Sequence, residues 1–173
     1  MSSTKIEEIS VPFPKNTIAL VFGECTAVWA QRVHVQRLTS SEVVLNPQYT
    51  FGPSDKGELT VTSVDSANDD GTVTSQNISS VAPDPHVLKL GPYTVDQTIR
   101  VQCEHHNPDD SEGTWTTNHH CSETHDFQAV GKTSGGGTIL GKALTVTMIN
   151  TEDGGDEDNH DTVVSVAITY TTK

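Results

Sequence analysis

Between Glu152 and Asp161 the chain carries six carboxylates in ten residues: Glu152, Asp153, Asp156, Glu157, Asp158 and Asp161. Two like charges about 4 Å apart repel by roughly 4 kcal/mol at an effective dielectric of 20. A short loop holding this many either splays into water, where salt screens it, or closes around a cation. Carboxylate oxygens are hard ligands, and Ca²⁺ takes about six to eight of them. The spacing nominates Glu152, Asp156, Asp158 and Asp161 as metal ligands, and Gly154 and Gly155 let the backbone turn tightly around an ion. One Ca²⁺ cancels two charges and two ions cancel four. The pattern is not an EF-hand: the sixth position counted from Asp156 is Asp161 rather than glycine, and strand-like segments flank it.

A second cluster lies between Cys103 and Asp126, with five of the eight histidines and two of the three cysteines. Were Cys103 and Cys121 on paired strands, His105, His119 and His125 would converge with them into a site for Zn²⁺ or Cu²⁺. No C-x₂-C is present, and adjacent histidines on a strand face opposite ways. Exposed polar hairpin residues are the simpler reading, and a pH-responsive surface a third. Trp115, inside this segment, either stacks on a sugar or partner or caps the core.

The elements that must position these groups read as strands. Residues 16–22 are strand-like, and 27–38 put Trp29, Val33 and Val35 on one face with Gln31 as the polar exception. Residues 57–64 alternate Leu59, Val61 and Ser63 against Thr60, Thr62 and Val64. Strand patterns follow at 86–95, 97–103, 142–149 and 162–170. Turn-rich spacers such as NPQ, SANDDG, NPDDSEG and SGGG separate them. Leu144, Val146 and Met148 share one face before the acidic run, and Val164, Val166, Ile168 and Tyr170 share one after it. The last two strands therefore form a hairpin whose connection, about 151–161, far exceeds the usual two to five residues or so. Many short strands with such spacers predict an all-β, antiparallel β-sandwich. The expected organisation is one domain over 1–173, with insertions or long loops in 46–85 and 104–125.

The chain has 173 residues and a formal net charge of -13, which argues against nucleic acid and anionic membranes and suits cations or neutral ligands. It has no apolar run of about 18 residues, so membrane insertion is not expected. The first residues lack the apolar core of a signal peptide. The chain is read as cytoplasmic, or exported without a visible signal. Three cysteines are no disulfide framework, though Cys103 and Cys121 would pair across a hairpin in an oxidising compartment. GKTSGGG (131–137) fails as a phosphate loop: Asp126 stands where the first glycine belongs. Nothing argues for catalysis.

The stretch TEDGGDEDNHDTVVSVAI (151–168) resembles the terminal calcium loop of the calcium-mediated bacterial lectins that bind fucose and mannose, and VPFPKNT (11–17) is similar to their opening strand. The resemblance implies one or two Ca²⁺ ions held by Glu152, Asp156, Asp158 and Asp161. It further implies a saccharide contacted by Asp153, Gly155, Asp156, Asp158 and Asp161, and a homo-oligomer. The sequence departs from the pattern at His160 and Thr26, where the lectins have asparagines that bind the ion. It also ends in Lys173, and its extra length falls in the middle. The reading is a calcium-dependent, lectin-like carbohydrate-binding protein rather than an enzyme. Its alternatives are a β-domain with a calcium-rigidified loop and no sugar site, and a His/Cys transition-metal protein.

Overall fold

The computed structural model describes residues 6–54, 56–110, 112–154 and 160–170. The strands are β1 (Ile9–Phe13), β2 (Thr17–Cys25), β3 (Ala30–Leu38), β4 (Val44–Ser54), β5 (Gly57–Glu58), β6 (Val61–Ala67) and β7 (Val73–Ser75), then β8 (Leu88–Leu90), β9 (Gln97–His106), β10 (Trp115–Thr117), β11 (His119–Lys132), β12 (Thr138–Glu152) and β13 (Thr162–Tyr170). One 3₁₀ turn, Ile78–Ser80, is the helical element among the described residues.

The strands pair antiparallel in two sheets. One runs β1-β9-β3-β4-β6-β7, with β10 also on β9; the other runs β11-β12-β13-β2-β5, with β8 also on β2. Their inner faces close over one core, so the molecule is a β-sandwich. From the first sheet come Val11, Phe13, Val33, Val35, Tyr49, Phe51, Ile99 and Val101; from the second come Ala19, Val21, Leu88, Leu90, Ile149, Val164, Val166 and Ile168. Strand side chains alternate between faces, so every second residue of β3, β9 and β13 enters this core. Each such aliphatic or aromatic side chain contributes about 1.5–3 kcal/mol on burial.

Two strands depart from the simple alternation. On β12 the apolar set Leu144, Val146 and Met148 faces outward, with Met148 40% exposed. The core face carries Thr145, Thr147, Ile149 and Thr151 instead, opposite Ile168, Val166, Val164 and Thr162. Threonine is β-branched and fits a pleated inner face once its hydroxyl is bonded. On β6 the register shifts where Phe51 pairs Val61 and Thr50 pairs Ser63, so burial passes from Val61 to Val64 rather than to Ser63. Within 46–85, β4 and β6 lie inside the first sheet and supply Tyr49, Phe51, Val61 and Val64 to the core.

Candidate functional site: an acidic hairpin end backed by a buried amide network

The β12–β13 ladder ends at the Thr151–Thr162 pair, and everything beyond that rung forms the acidic connection. Its two roots are held tightly. The Asp161 N–H donates to the Thr151 carbonyl at 3.1 Å, and the Asp153 N–H donates to Asp161 Oδ2 at 2.7 Å. The Gly154 N–H donates to Glu152 Oε1 at 2.9 Å, at a backbone φ of +96° that glycine adopts freely. From the neighbouring strand end, the Thr26 N–H donates to the Asp161 carbonyl at 3.0 Å and the Thr26 hydroxyl to the His160 carbonyl. Thr26 therefore clamps the loop's exit through its backbone partners.

These bonds gather Glu152, Asp153 and Asp161, whose carboxylate oxygens lie within 4.8 Å of one another. Glu152 is buried, at 6% exposure. Burial, and then the adjacent Asp153 and Glu152 charges, push the Asp161 carboxyl up to about 6, against the Asp153 N–H that pulls it down. Among the described residues, neutral amides donate to the cluster: the N–H groups of Asp153 and Gly154 and the side chain of Gln31, whose Nε2 lies 3.2 Å from Asp153 Oδ2. Neutral donors orient carboxylates without cancelling their charge. Of the other sequence-nominated residues, Gly155, Asp156 and Asp158 lie outside the described residues.

Gln31 belongs to a chain of buried polar groups that the periodicity marked only as an exception. Gln31 Oε1 accepts from Asn118 Nδ2 at 2.8 Å and from the Thr162 hydroxyl at 3.4 Å. Asn118 Nδ2 also donates to the Thr151 hydroxyl at 3.1 Å, and Asn118 Oδ1 accepts from His105 Nδ1 at 2.7 Å. Gln31, Asn118, Thr151 and Thr162 are each at most 1% exposed. In such a dry site every amide has one permitted orientation, since a reversal would set donor against donor. The orientation fixed here aims the Gln31 NH₂ at the Asp153 carboxylate.

The same Nε2 also lies 3.4 Å from the Trp29 carbonyl. The Trp29 ring rests on His105, with centroids 5.3 Å apart and planes tilted by 32°. Val28, Trp29, Pro53, His106 and Pro108 line a hollow of about 290 Å³ at this end of the sandwich. Pro53 is brought there by Gly52, at φ +83°, where a Cβ would stand 2.6 Å from the Gln31 carbonyl.

The histidine segment does not converge. Cys103 lies on β9 of one sheet and Cys121 on β11 of the other, so they are not on paired strands; both are free thiols, Cys103 buried and Cys121 exposed. His120 is structural: its Nε2 accepts the Cys103 N–H at 2.8 Å, and its Nδ1 faces the Ile6 carbonyl at 3.2 Å. His105 serves the amide network. His125 is exposed beside Glu123 at 3.1 Å. Among the described residues, no metal-ligating group includes these histidines. Trp115 stands on β10, half-buried, with the Arg32 guanidinium 4.2 Å over its ring.

Compared with known proteins, the chain matches no family model and no curated protein. Solved structures similar to it include a Ralstonia solanacearum high-affinity mannose-binding lectin, at 18% identity and a TM-score of 0.40, covering 95% of this chain and 96% of that one. The C-terminal domain of a Burkholderia cenocepacia lectin is similar at 11% identity and a TM-score of 0.46, covering 98% and 100%. A Chromobacterium violaceum lectin in complex with alpha-methyl-fucoside is similar at 15% identity and a TM-score of 0.35, covering 98% and 100%.

Proposed function

We propose that this protein binds carbohydrate through calcium held at the end of its last hairpin. The observation that carries the reading is the gathering of Glu152, Asp153 and Asp161 within 4.8 Å, at the mouth of a loop whose sequence resembles the calcium loop of fucose- and mannose-binding lectins. The donor set fits the ion: hard oxygens, a crowded negative charge, and an Asp161 carboxyl raised by burial and crowding. Glu152 and Asp161 would hold the ion together with Asp156 and Asp158, while Asp153 and Gly155 would meet the saccharide alongside the same aspartates. Bound calcium supplies hard coordination positions at which vicinal sugar hydroxyls replace water, and a neutral sugar adds no charge to an already acidic surface.

The chain's own contribution is preorganisation. Gln31 sets the Asp153 carboxylate, the Asp153 N–H sets Asp161, and Thr26 closes the exit of the loop. Ligand groups already in place lower the ordering cost of binding. The protein acts as a binding module, and assembly of several copies would raise avidity for a multivalent glycan. A glycan array probed in millimolar Ca²⁺ and again in EDTA tests the reading. Mannose- or fucose-terminated glycans should bind in calcium alone. Calcium-dependent melting with a blank array would leave a rigidified β-domain without a sugar site.

A further inference from the structure

Residues Thr26 and Gln31 are both tied to the acidic loop, one through the Asp161 carbonyl at 3.0 Å and the other through the Asp153 carboxylate at 3.2 Å. The segment between them is therefore anchored at both ends on the rim of the carboxylate cluster. At its crest stand Val28, 90% exposed, and Trp29. The Trp29 carbonyl reaches the Asp153 carboxylate through a single intervening amide, that of Gln31. The same Trp29 lines the 290 Å³ hollow together with Pro53, His106 and Pro108. The Trp29 indole packs on His105, itself 8% exposed and hydrogen-bonded to Asn118, so its partner is held in place.

Building on the calcium-dependent saccharide reading above, we propose that this hollow is a second subsite. It takes the pyranose ring next to the one bound at the acidic loop, so the preferred ligand is an oligosaccharide rather than a single sugar. Its volume lies at the lower end for ligand pockets, enough for one ring and not for a long chain. A pyranose offers an apolar C–H face to an aromatic wall and hydroxyls to its surroundings, and indole combines an apolar body with a polar edge. The two prolines add apolar wall without an N–H, while Ser54 and His106 supply polar groups at the margin. With a net charge of -13 on the chain, the hollow favours a neutral occupant over an anionic one.

Isothermal calorimetry in millimolar Ca²⁺ tests this, with methyl α-D-mannopyranoside, methyl α-L-fucopyranoside, the α1,2-, α1,3- and α1,6-linked mannobioses and fucosyl-α1,4-N-acetylglucosamine as probes. At least one disaccharide should bind about tenfold more tightly than its methyl monosaccharide, the order of one good aromatic contact. Trp29→Ala should bring that ratio close to one, and Trp29→Phe should retain part of it. In a Trp115→Phe chain, the remaining indole emission should shift with the tight disaccharide and stay still with the methyl glycoside. The fluorescence and the Phe variant decide the matter if Trp29→Ala does not fold. The proposal is overturned if no disaccharide gains over its monosaccharide or if the gain survives Trp29→Ala. Monosaccharide binding with no disaccharide gain sinks the subsite alone; no binding of any probe sinks the calcium–saccharide reading with it.

Discussion

Replacing Asp161 by Asn should have opposite effects with and without calcium. Asp161 shares a space within 4.8 Å with the Glu152 and Asp153 carboxylates. At an effective dielectric of 20 each such repulsion is roughly 3 kcal/mol. Asp161 is partly exposed, and solvent screening brings the net relief to about 1 kcal/mol. The substitution keeps an oxygen to accept the Asp153 N–H, so the cost of a lost hydrogen bond is small. In EDTA at pH 7.5, calorimetry should therefore show Asp161→Asn melting about 2–4 °C above the parent chain, the shift expected of ~1 kcal/mol at this size. The pH dependence has a definite sign. The folded Asp161 carboxyl is raised to about 6, above its unfolded value, so the parent's folded state takes up a proton that its unfolded state does not. That contribution is fully present below about pH 4 and is lost as pH rises through about 6, so the gap between the two chains should close below pH 6. In millimolar Ca²⁺ the order should invert, because the parent gains stability by binding and the variant has lost a ligand. A variant that melts lower than the parent in EDTA as well as in calcium would refute the reasoning, as would a gap indifferent to pH between 5 and 7.5.

Three further outcomes follow from the same geometry. Gln31→Leu removes an acceptor from the buried Asn118 amide and a donor from the Asp153 carboxylate; it should cost about 1–3 kcal/mol in urea unfolding and weaken calcium binding in calorimetry, whereas Gln31→Glu should damage calcium-free folding most. Tyr49, pushed up to about 12 chiefly by burial, should ionise last in an ultraviolet titration, and the stability it contributes below pH 10 should fade as pH climbs towards 12. A maleimide should label Cys121 rapidly in the native protein and reach Cys25 and Cys103 only in denaturant, since both are buried and burial pushes the Cys103 thiol up.

The sandwich was legible where inward positions are aliphatic, as on β3, β9 and β13, because only one face of an alternating strand can be buried there. It was not legible on β12. The outward Leu144, Val146 and Met148 look more core-like than the inward Thr145, Thr147 and Thr151, and the register is settled by what lies across the sandwich. The Val64 switch depends on a bulge against β4, which leaves no local sign. The acids of the site are adjacent in sequence, so local spacing was enough to bring out their crowding. Their supporting amides are not: Gln31 and Asn118 lie 87 residues apart, and each alone looks like an ordinary polar residue. The one visible trace was an amide at a core-facing position of β3, which a dry interior tolerates only when it is bonded. The histidine segment misled because its residues divide between two sheets, where His105 and His120 are spent on internal hydrogen bonds.

The account rests on an ion between the last two strands that also carries the sugar. A crystal grown in millimolar Ca²⁺ with methyl α-D-mannopyranoside tests it most directly. It should show density about 2.3–2.6 Å from oxygens of Glu152 and Asp161, with two sugar hydroxyls in the same coordination shell. Ordered water alone among those carboxylates, or the sugar bound away from them, would contradict it.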